Sequence, residues 1–308
     1  MNIGRFAPSP SGRMHLGNAL SAMLSWLSAK SKGGEVVLRI EDLDPARSRE
    51  EYAQGIMSDF LWLGLKWDRQ SENQSRRSQV YFEAIDILRE KGLVYPCYCS
   101  RGELHAASAP HASDGRVIYG GTCRNLSEEE RESKNKVPSH RLIMPDREVS
   151  FVDGLQGEYS LNLQKEMGDI IVCRADGVAA YQLAVVVDDA AAGVTEVVRG
   201  RDLLSSTPAQ CYLYELLGLK QPEFYHVPML LAPDGRRLSK RDKDMDFSCL
   251  RANYTSEEIL GLLSYLCGLI PKWEKVSLEE LSAEFSWEKV SRQDIIVDAE
   301  KILGQNVP

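Results

Sequence analysis

Residues 3–18 read Ile3-Gly-Arg5-Phe-Ala7-Pro-Ser9-Pro-Ser-Gly-Arg-Met-His15-Leu-Gly17-Asn18 and decide the fold. A short strand over residues 2–7 runs into two prolines and a glycine, which force an extended turn. A helix over residues 15–31 follows, because large apolar residues recur at three- and four-residue spacing. These residues are Leu16, Leu20, Met23, Leu24 and Leu27. A strand, a tight turn and a helix in this order predict the first unit of a parallel sheet.

The turn itself has two interpretations. A helix N-terminus presents free N–H groups and a partial positive charge, which suits phosphate. Gly17 would let a ligand approach the backbone closely, and His15 and Asn18 would place donors beside the same point. A proline-rich turn that only caps the helix fits the same letters, and the spacing alone does not separate the two.

Farther along the chain, strands and helices continue to alternate. A strand is predicted over 35–41, amphipathic helices over 49–64 and 75–90, and a buried strand over 193–199. Residues 178–187 show a mixed strand and helix pattern, and a helix over 212–217 ends at Gly218. After Arg241 the pattern is helical to the end, with capping-box signals at Thr255/Glu258 and Ser277/Glu280. This alternation predicts a parallel α/β sheet with a helical C-terminal subdomain.

Residues 95–170 break the pattern and are interpreted as an insertion. Cys97, Cys99 and Cys123 offer three thiols, and Zn²⁺ prefers four tetrahedral S/N ligands. The nearby candidates for a fourth ligand are His105, His111, Asp114 and Tyr119, and metal chemistry alone favours a histidine. Three reduced structural thiols are the alternative. The other cysteines, in apolar surroundings, are expected in the core: Cys173, Cys211, Cys249 and Cys267.

Composition narrows the class of protein. The 308 residues suit one large or two modest domains, and the formal net charge of −8 argues against indiscriminate nucleic-acid binding. A local basic face for RNA is still compatible with that balance. No segment reaches the ~18 apolar residues that span a bilayer, and the N-terminus lacks a signal-peptide core. We therefore expect a cytoplasmic protein with no membrane partner. We also expect a monomer, although composition does not address it.

Several stretches, in order along the chain, resemble the class I aminoacyl-tRNA synthetases. His15-Leu-Gly-Asn18 resembles the "HIGH" signature, and Arg237-Leu-Ser-Lys240-Arg241 resembles "KMSKS". The opening from Arg5, together with residues 34–45, 62–68, 180–189 and 193–200, is similar to glutamyl- and glutaminyl-tRNA synthetases. The resemblance covers most of residues 1–245. It implies a Rossmann-like sheet domain of the HIGH superfamily formed by 1–94 and 171–245, an acceptor-binding insertion at 95–170 and a helical subdomain at 246–308.

The resemblance also implies the site residues. For glutamate they are Arg5, Ala7, Ser9, Glu41, Tyr181 and Arg199. Two arginines suit carboxylates and one acid suits the ammonium group. For ATP they are His15, Gly17, Asn18, Arg237, Leu238, Ser239 and Lys240, with His15, Asn18 and Lys240 as catalytic residues and Mg²⁺ sharing the phosphate charge. This chain departs from the family pattern at Val185, Arg201 and Leu203.

The thiol pattern is similar to that of the glutamyl-queuosine synthetases, the short relatives of glutamyl-tRNA synthetase. That resemblance implies one structural Zn²⁺ on Cys97, Cys99, Tyr119 and Cys123. It also implies that the chain, which stops at Pro308, carries no anticodon-binding domain. The expected reaction is ATP-dependent activation of L-glutamate and its transfer to queuosine in the anticodon of tRNA(Asp). The alternatives are charging of a tRNA 3′ end and a non-catalytic RNA-binding paralogue.

Overall fold

The computed structural model of this chain describes residues 1–100, 102–103, 118–236 and 247–298. Strands occur in both halves of the chain. They are β1 (Ile3–Phe6), β2 (Glu35–Leu38), β3 (Arg69–Gln70), β4 (Val94–Cys97), β5 (Ser139–Leu142), β6 (Glu148–Asp153), β7 (Gly157–Asn162), β8 (Ile170–Cys173), β9 (Glu196–Gly200), β10 (Glu223–Val227), β11 (Leu230–Leu231) and β12 (Ile295–Ile296).

Helices separate most of the parallel strands. They are α1 (Leu16–Lys30), α2 (Glu50–Trp62), α3 (Ser78–Glu90), α4 (Glu128–Glu132), α5 (Tyr181–Ala191), α6 (Thr207–Leu217), α7 (Phe247–Asn253), α8 (Ser256–Leu266) and α9 (Leu278–Ala283). The helices predicted over 15–31, 49–64 and 75–90 are confirmed within a few residues at each end. The helix predicted over 212–217 begins earlier, at Thr207, and ends at Gly218 in the left-handed conformation, as predicted.

Two groups of parallel strands meet in the middle of the molecule. β1 pairs with β2 and β2 with β3, while β9 pairs with β10. β1 lies beside β9, because Thr195 N–H donates to Ile3 O over 2.9 Å and Arg5 donates to Val198 O over 2.9 Å. The order β3-β2-β1 followed by β9-β10 is that of a doubly wound sheet, so the predicted parallel α/β sheet is confirmed. Its switch point falls between β1 and β9, where such sheets bind ligands.

The sheet separates two hydrophobic cores. Val197 and Val198 are neighbours in β9, and because successive side chains of a strand face opposite ways, each joins a different core. One core contains α1 and parts of α2 and the C-terminal helices, and all five apolar residues that predicted α1 are fully buried in it. The other core contains parts of α3, α5 and α6. Gly34 follows α1 at a point where a Cβ would lie 2.3 Å from Asn2 O, so only glycine fits.

Residues 95–170 do not all form a separate sheet. β4, β5 and β8 form an antiparallel sheet, but β6 pairs in parallel with β10 and in antiparallel with β7, so this hairpin extends the central sheet. The hairpin packs there because Val149 and Phe151 alternate with exposed residues and enter the core beside α6. The predicted single insertion therefore includes a hairpin that belongs structurally to the sheet.

The C-terminal part is mainly helical, with both predicted capping boxes in place. Thr255 and Ser277 accept from the backbone N–H of Glu258 and Glu280 respectively. The prediction of helix to the end is wrong at β12, which pairs in parallel with β11. A two-residue strand has no periodicity to detect, and its pairing depends on a partner distant in sequence. In the described ranges no helix combines the length and apolarity that crossing a membrane requires.

Candidate active site

A cavity of about 510 Å³ opens at the switch point between β1 and β9. The predicted glutamate residues all line it, as do the predicted ATP residues of the first signature. They are Arg5, Ala7, Ser9, His15, Gly17, Asn18, Glu41, Tyr181 and Arg199. The predicted residues Arg237, Leu238, Ser239 and Lys240 lie outside the described residues. β11 also lines the cavity through Leu230, shortly before that segment.

Two buried arginines reach the cavity from neighbouring strands. Arg5 in β1 and Arg199 in β9 are each 5% exposed. Arg5 Nε lies 3.7 Å from Asp189 and makes no hydrogen bond to any described residue. Arg199 Nη1 is likewise buried without a partner in the part of the chain that the structure describes. Burial lowers the pKa of Arg5, against the opposing effect of Asp189. Buried N–H donors of this kind need an acceptor, and a ligand carboxylate would provide one.

One acid, Glu41, lines the same cavity and belongs to a network of ion pairs. Glu41 is 9% exposed and accepts from Arg39 over 2.9 Å. Arg39 is fully buried and also donates to Asp189 over 2.6 Å. Burial raises the pKa of Glu41, although Arg39 opposes the shift. Burial likewise raises the pKa of Tyr181, the first residue of α5. The cavity is thus lined by two buried arginines and one buried acid, together with the exposed Arg13 and Asp202.

The start of α1 borders the same cavity. His15 is the N-cap residue, and Asn18 Oδ1 accepts from its backbone N–H over 3.2 Å. These residues therefore cap the helix, as the second interpretation predicts, and they also line the cavity. Phosphate binding at this turn stays a prediction. A Cβ on Gly17 would lie 3.1 Å from the His15 ring, so glycine keeps that ring in place.

The three predicted zinc thiols converge in the second sheet. The Sγ atoms of Cys97, Cys99 and Cys123 lie within 4.8 Å of one another. Tyr119 Oη lies 3.4 Å from Cys97 Sγ and 3.9 Å from Cys99 Sγ. These donors fit a tetrahedral Zn²⁺, whose sulfur ligands lie about 2.3 Å from the metal. Of the other candidate ligands, His105, His111 and Asp114 lie outside the described residues.

Arg141 adds a cation to this cluster. It donates to Cys97 Sγ over 3.2 Å, and its guanidinium lies 3.9 Å from the centre of the Tyr119 ring. Burial opposes ionisation of Cys97, but hydrogen bonds from Tyr119 and Arg141 lower the pKa of that thiol. Burial raises the pKa of Cys99 to about 12. Cys173, Cys211 and Cys267 are buried as predicted, whereas Cys249 is exposed, because it lies on the outer face of α7.

Several polar residues of the site were not predicted. Arg39 and Asp189 lie inside stretches that carry the resemblance. They were not singled out because the sequence does not show that both side chains are buried. His226 accepts a hydrogen bond from Arg199 and contacts Asp153 through its other ring nitrogen. Neither His226 nor Asp153 lies in a motif. Arg201, one of the departures from the family pattern, pairs with Asp294 over 2.5 Å. Leu203, another departure, lines the cavity.

A doubly wound sheet with the HIGH-type helix start at its switch point defines the catalytic domain of a class I tRNA synthetase. The family described as "tRNA synthetases class I (E and Q), catalytic domain" matches residues 3–303. The crystal structure of a glutamate tRNA ligase from Elizabethkingia meningosepticum, in complex with its amino acid, is similar with a TM-score of 0.83 and 29% identity. That similarity covers 97% of this chain and 68% of the other.

Within this class the chain belongs to the family of glutamyl-Q tRNA(Asp) synthetases. A protein of that name from Symbiobacterium thermophilum is 48% identical over 98% of both chains. Another, from Nitratidesulfovibrio vulgaris, is 50% identical over 87% of both. A glutamate–tRNA ligase from Sulfurihydrogenibium is 39% identical over 98% of this chain but only 66% of its own length.

Proposed function

We propose that this enzyme activates L-glutamate with ATP and transfers it to the queuosine base in the anticodon of tRNA(Asp). The observation that carries the first step is the cavity lined by the buried side chains of Arg5, Arg199 and Glu41. Glutamate has two carboxylates and one ammonium group, and the fixed charges complement all three. The names of two relatives that match over 98% and 87% of their own length support the queuosine acceptor.

Each residue then has a role in glutamate binding. Arg199 Nη1 and Arg5 Nε offer buried donors to the carboxylates, and Glu41 accepts from the ammonium group. Ala7, Ser9 and Tyr181 contact the rest of the ligand, with hydroxyl groups on the last two. Because these groups are buried and fixed before the ligand arrives, little ordering is left to oppose binding.

The activation step follows from the same geometry. A glutamate carboxylate oxygen attacks the α-phosphorus of ATP, the bond to the bridging oxygen breaks and pyrophosphate leaves. His15, Asn18 and the start of α1 stabilise the negative charge that develops on the phosphates. The resemblance assigns a further positive charge on the ATP phosphates to Lys240, in the ATP-binding segment with Arg237, Leu238 and Ser239. Mg²⁺, bound with ATP, would further neutralise the charge of the phosphates.

The second step transfers glutamate from the adenylate. A hydroxyl of queuosine attacks the glutamyl carbonyl, AMP leaves and an ester forms. We propose that 1–94 and 171–245 carry out activation, and that 95–170, with its hairpin on the sheet, contacts the acceptor. The described part of the C-terminal subdomain supports the cavity wall through β12, which pairs with β11. A monomer in the cytoplasm, where tRNA(Asp) is found, is sufficient for both steps.

We propose a structural Zn²⁺ on Cys97, Cys99, Tyr119 and Cys123. Its support is the convergence of three thiols and one phenol described above. Burial raises the pKa of the Tyr119 phenol, and a divalent cation is the charge that would reverse this shift. The ion would hold β4 to the segment that contains Tyr119 and Cys123.

The decisive experiment is transfer of labelled glutamate, with ATP and Mg²⁺, to tRNA with and without queuosine, followed by mild periodate treatment. Periodate cleaves free vicinal diols, so it reports which diol carries the glutamate. We expect label only on tRNA(Asp) that contains queuosine, with the base diol protected. Label on the 3′ terminus would instead assign a charging enzyme, and no glutamate-dependent pyrophosphate exchange would refute the proposal.

A further inference from the structure

A chain of three buried side chains lies behind the cavity. Asp153, at the end of β6, is 2% exposed, and His226 in β10 is fully buried. His226 Nδ1 lies 2.6 Å from Asp153 Oδ2, and His226 Nε2 lies 3.0 Å from Arg199 Nε. The chain thus runs across neighbouring strands from an aspartate to the arginine that lines the cavity.

The geometry fixes the tautomer of His226. Arg199 Nε can only donate a hydrogen bond, so His226 Nε2 must accept it. The ring proton therefore lies on Nδ1 and is donated to Asp153. Burial lowers the pKa of His226 to about 4, which keeps the ring neutral at physiological pH. Asp153 also accepts from the backbone N–H of Leu155 and Gln156, so its orientation is fixed independently.

Among the described residues, each acceptor of an Arg199 side-chain hydrogen bond is neutral. Besides His226, its Nη2 donates to Thr207 Oγ1 and to Gln210 Oε1, each over 2.8 Å. Within the described ranges no carboxylate lies close enough to form an ion pair with Arg199, whereas Arg39 pairs with Glu41, Asp188 and Asp189. A carboxylate in place of His226 would neutralise Arg199 and compete with any anionic ligand. A neutral acceptor orients the guanidinium and leaves its charge for the ligand.

We propose that His226 and Asp153 are positioning residues for Arg199. Asp153 fixes the His226 tautomer, and His226 then presents the unpartnered Nη1 of Arg199 to a substrate carboxylate. This inference rests on the proposed function, since it assumes that the carboxylate belongs to glutamate. It assigns part of the substrate affinity to two buried side chains, His226 and Asp153, that do not themselves touch the substrate.

Substitution of Asp153 by asparagine tests the tautomer directly. In Asp153→Asn the amide can donate to Nδ1, which moves the ring proton to Nε2, where it opposes the Arg199 Nε–H. We expect the glutamate KM to rise about tenfold, the value of one charged hydrogen bond, with the ATP KM within about twofold of wild type. His226→Gln keeps a neutral acceptor and should restore part of the affinity relative to His226→Leu. His140→Gln, which changes a histidine outside the cavity, is the control.

Two measurements decide the question. Pyrophosphate exchange in the presence of tRNA gives both KM values, and ¹⁵N NMR of the histidine rings gives the tautomer without substrate. A wild-type His226 with its proton on Nε2 would overturn the inference, even if the variants did not fold. Wild-type exchange with an unchanged glutamate KM in both Asp153→Asn and His226→Leu would overturn it while leaving the proposed function intact. Absence of glutamate-dependent exchange in wild type would refute the proposed function itself.

Discussion

Arg39 and Arg199 are both buried near the cavity, yet their charges are used differently. The charge of Arg39 is balanced by three carboxylates, so it organises the acids around it. Arg199 is surrounded by neutral acceptors and keeps its charge for a ligand. The same side chain therefore serves structure in one place and recognition in the other, and its hydrogen-bond partners determine which.

Glu41→Gln should weaken glutamate binding. The amide keeps the shape of the carboxylate but loses the charge that would face the ligand ammonium group, so we expect the glutamate KM to rise at least about tenfold. Steady-state pyrophosphate exchange measures it. Glu35→Gln is the control, because Glu35 lies at the start of β2, the strand that precedes Glu41, and pairs with Arg69. Equal KM values in the two variants would remove Glu41 from the site.

His226 should make stability depend on pH. Its pKa is lowered to about 4 in the folded protein, against an ordinary value of 6.5. The unfolded chain therefore binds the proton more readily than the folded protein. As the pH falls from 6.5 toward 4, the free energy of unfolding decreases by about 3 kcal/mol in total. About 2 kcal/mol of this decrease is expected by pH 5. Urea unfolding of wild type and His226→Gln at pH 7 and pH 5 tests this. An equal loss of stability in both proteins would contradict it.

At the scale of elements, sequence patterns predicted the helices and helix starts that are specified by residues close together in the chain. Leu16 to Leu27 predicted α1 because their spacing matches one helix face, and Thr255 and Ser277 marked helix starts through their own side chains. The β6–β7 hairpin and β12 were missed as parts of their sheets. Their place depends on β10 and β11, which lie far away in sequence.

The residues of the site also fall into two groups, those that could be predicted from the sequence and those that could not. The nine predicted residues that line the cavity lie in motifs that a resemblance identifies, so they could be named from the sequence. His226 and Asp153 act only because β10 and β6 are neighbours, and that neighbourhood is a tertiary fact. A pattern of strands does not give their lateral order, so the positioning chain could not be predicted.

A glycine beside the thiol cluster allows a test of the metal site. Gly168 has φ +70°, and a Cβ there would lie 2.5 Å from Tyr119 O. Gly168→Ala should therefore displace Tyr119 and reduce the zinc retained after dialysis against a chelator, measured by atomic absorption. Gly177→Ala is the matched control, because Gly177 has φ +81° with open space around its Cβ position. Alanine is strained at a positive φ, so both variants carry this backbone strain and differ only in the clash with Tyr119. Equal zinc content in the two would argue against Tyr119 as a ligand.

At the scale of the whole molecule, an acidic chain is proposed to bind a polyanion. The formal net charge is −8, so contact with tRNA requires a local basic surface rather than overall attraction. Such contacts release counterions, which makes binding sensitive to salt. The charge of the molecule thus favours selective over indiscriminate RNA binding.

We therefore expect the tRNA KM to rise at least about tenfold between 50 and 200 mM salt, whereas the glutamate KM changes little. Transfer assays at constant Mg²⁺, with each substrate varied in turn, measure both values. The buried arginines explain the difference, since charges removed from solvent are screened less than those on a surface. A tRNA KM that does not change with salt would mean that the acceptor is bound mainly through its bases.

β11 forms part of the cavity wall, and its hydrogen-bonding partner β12 comes late in the sequence. Met229 O accepts from Ile295 N–H over 2.9 Å, and Asp294 accepts from the Met229 N–H over 2.9 Å. On the ribosome, Arg5 and Arg199 are therefore synthesised well before the segment that completes the wall beside them. A nascent polypeptide released before residue 295 would carry both cavity arginines in an unfinished pocket, so residues 295 and 296 must be translated before the enzyme can become competent.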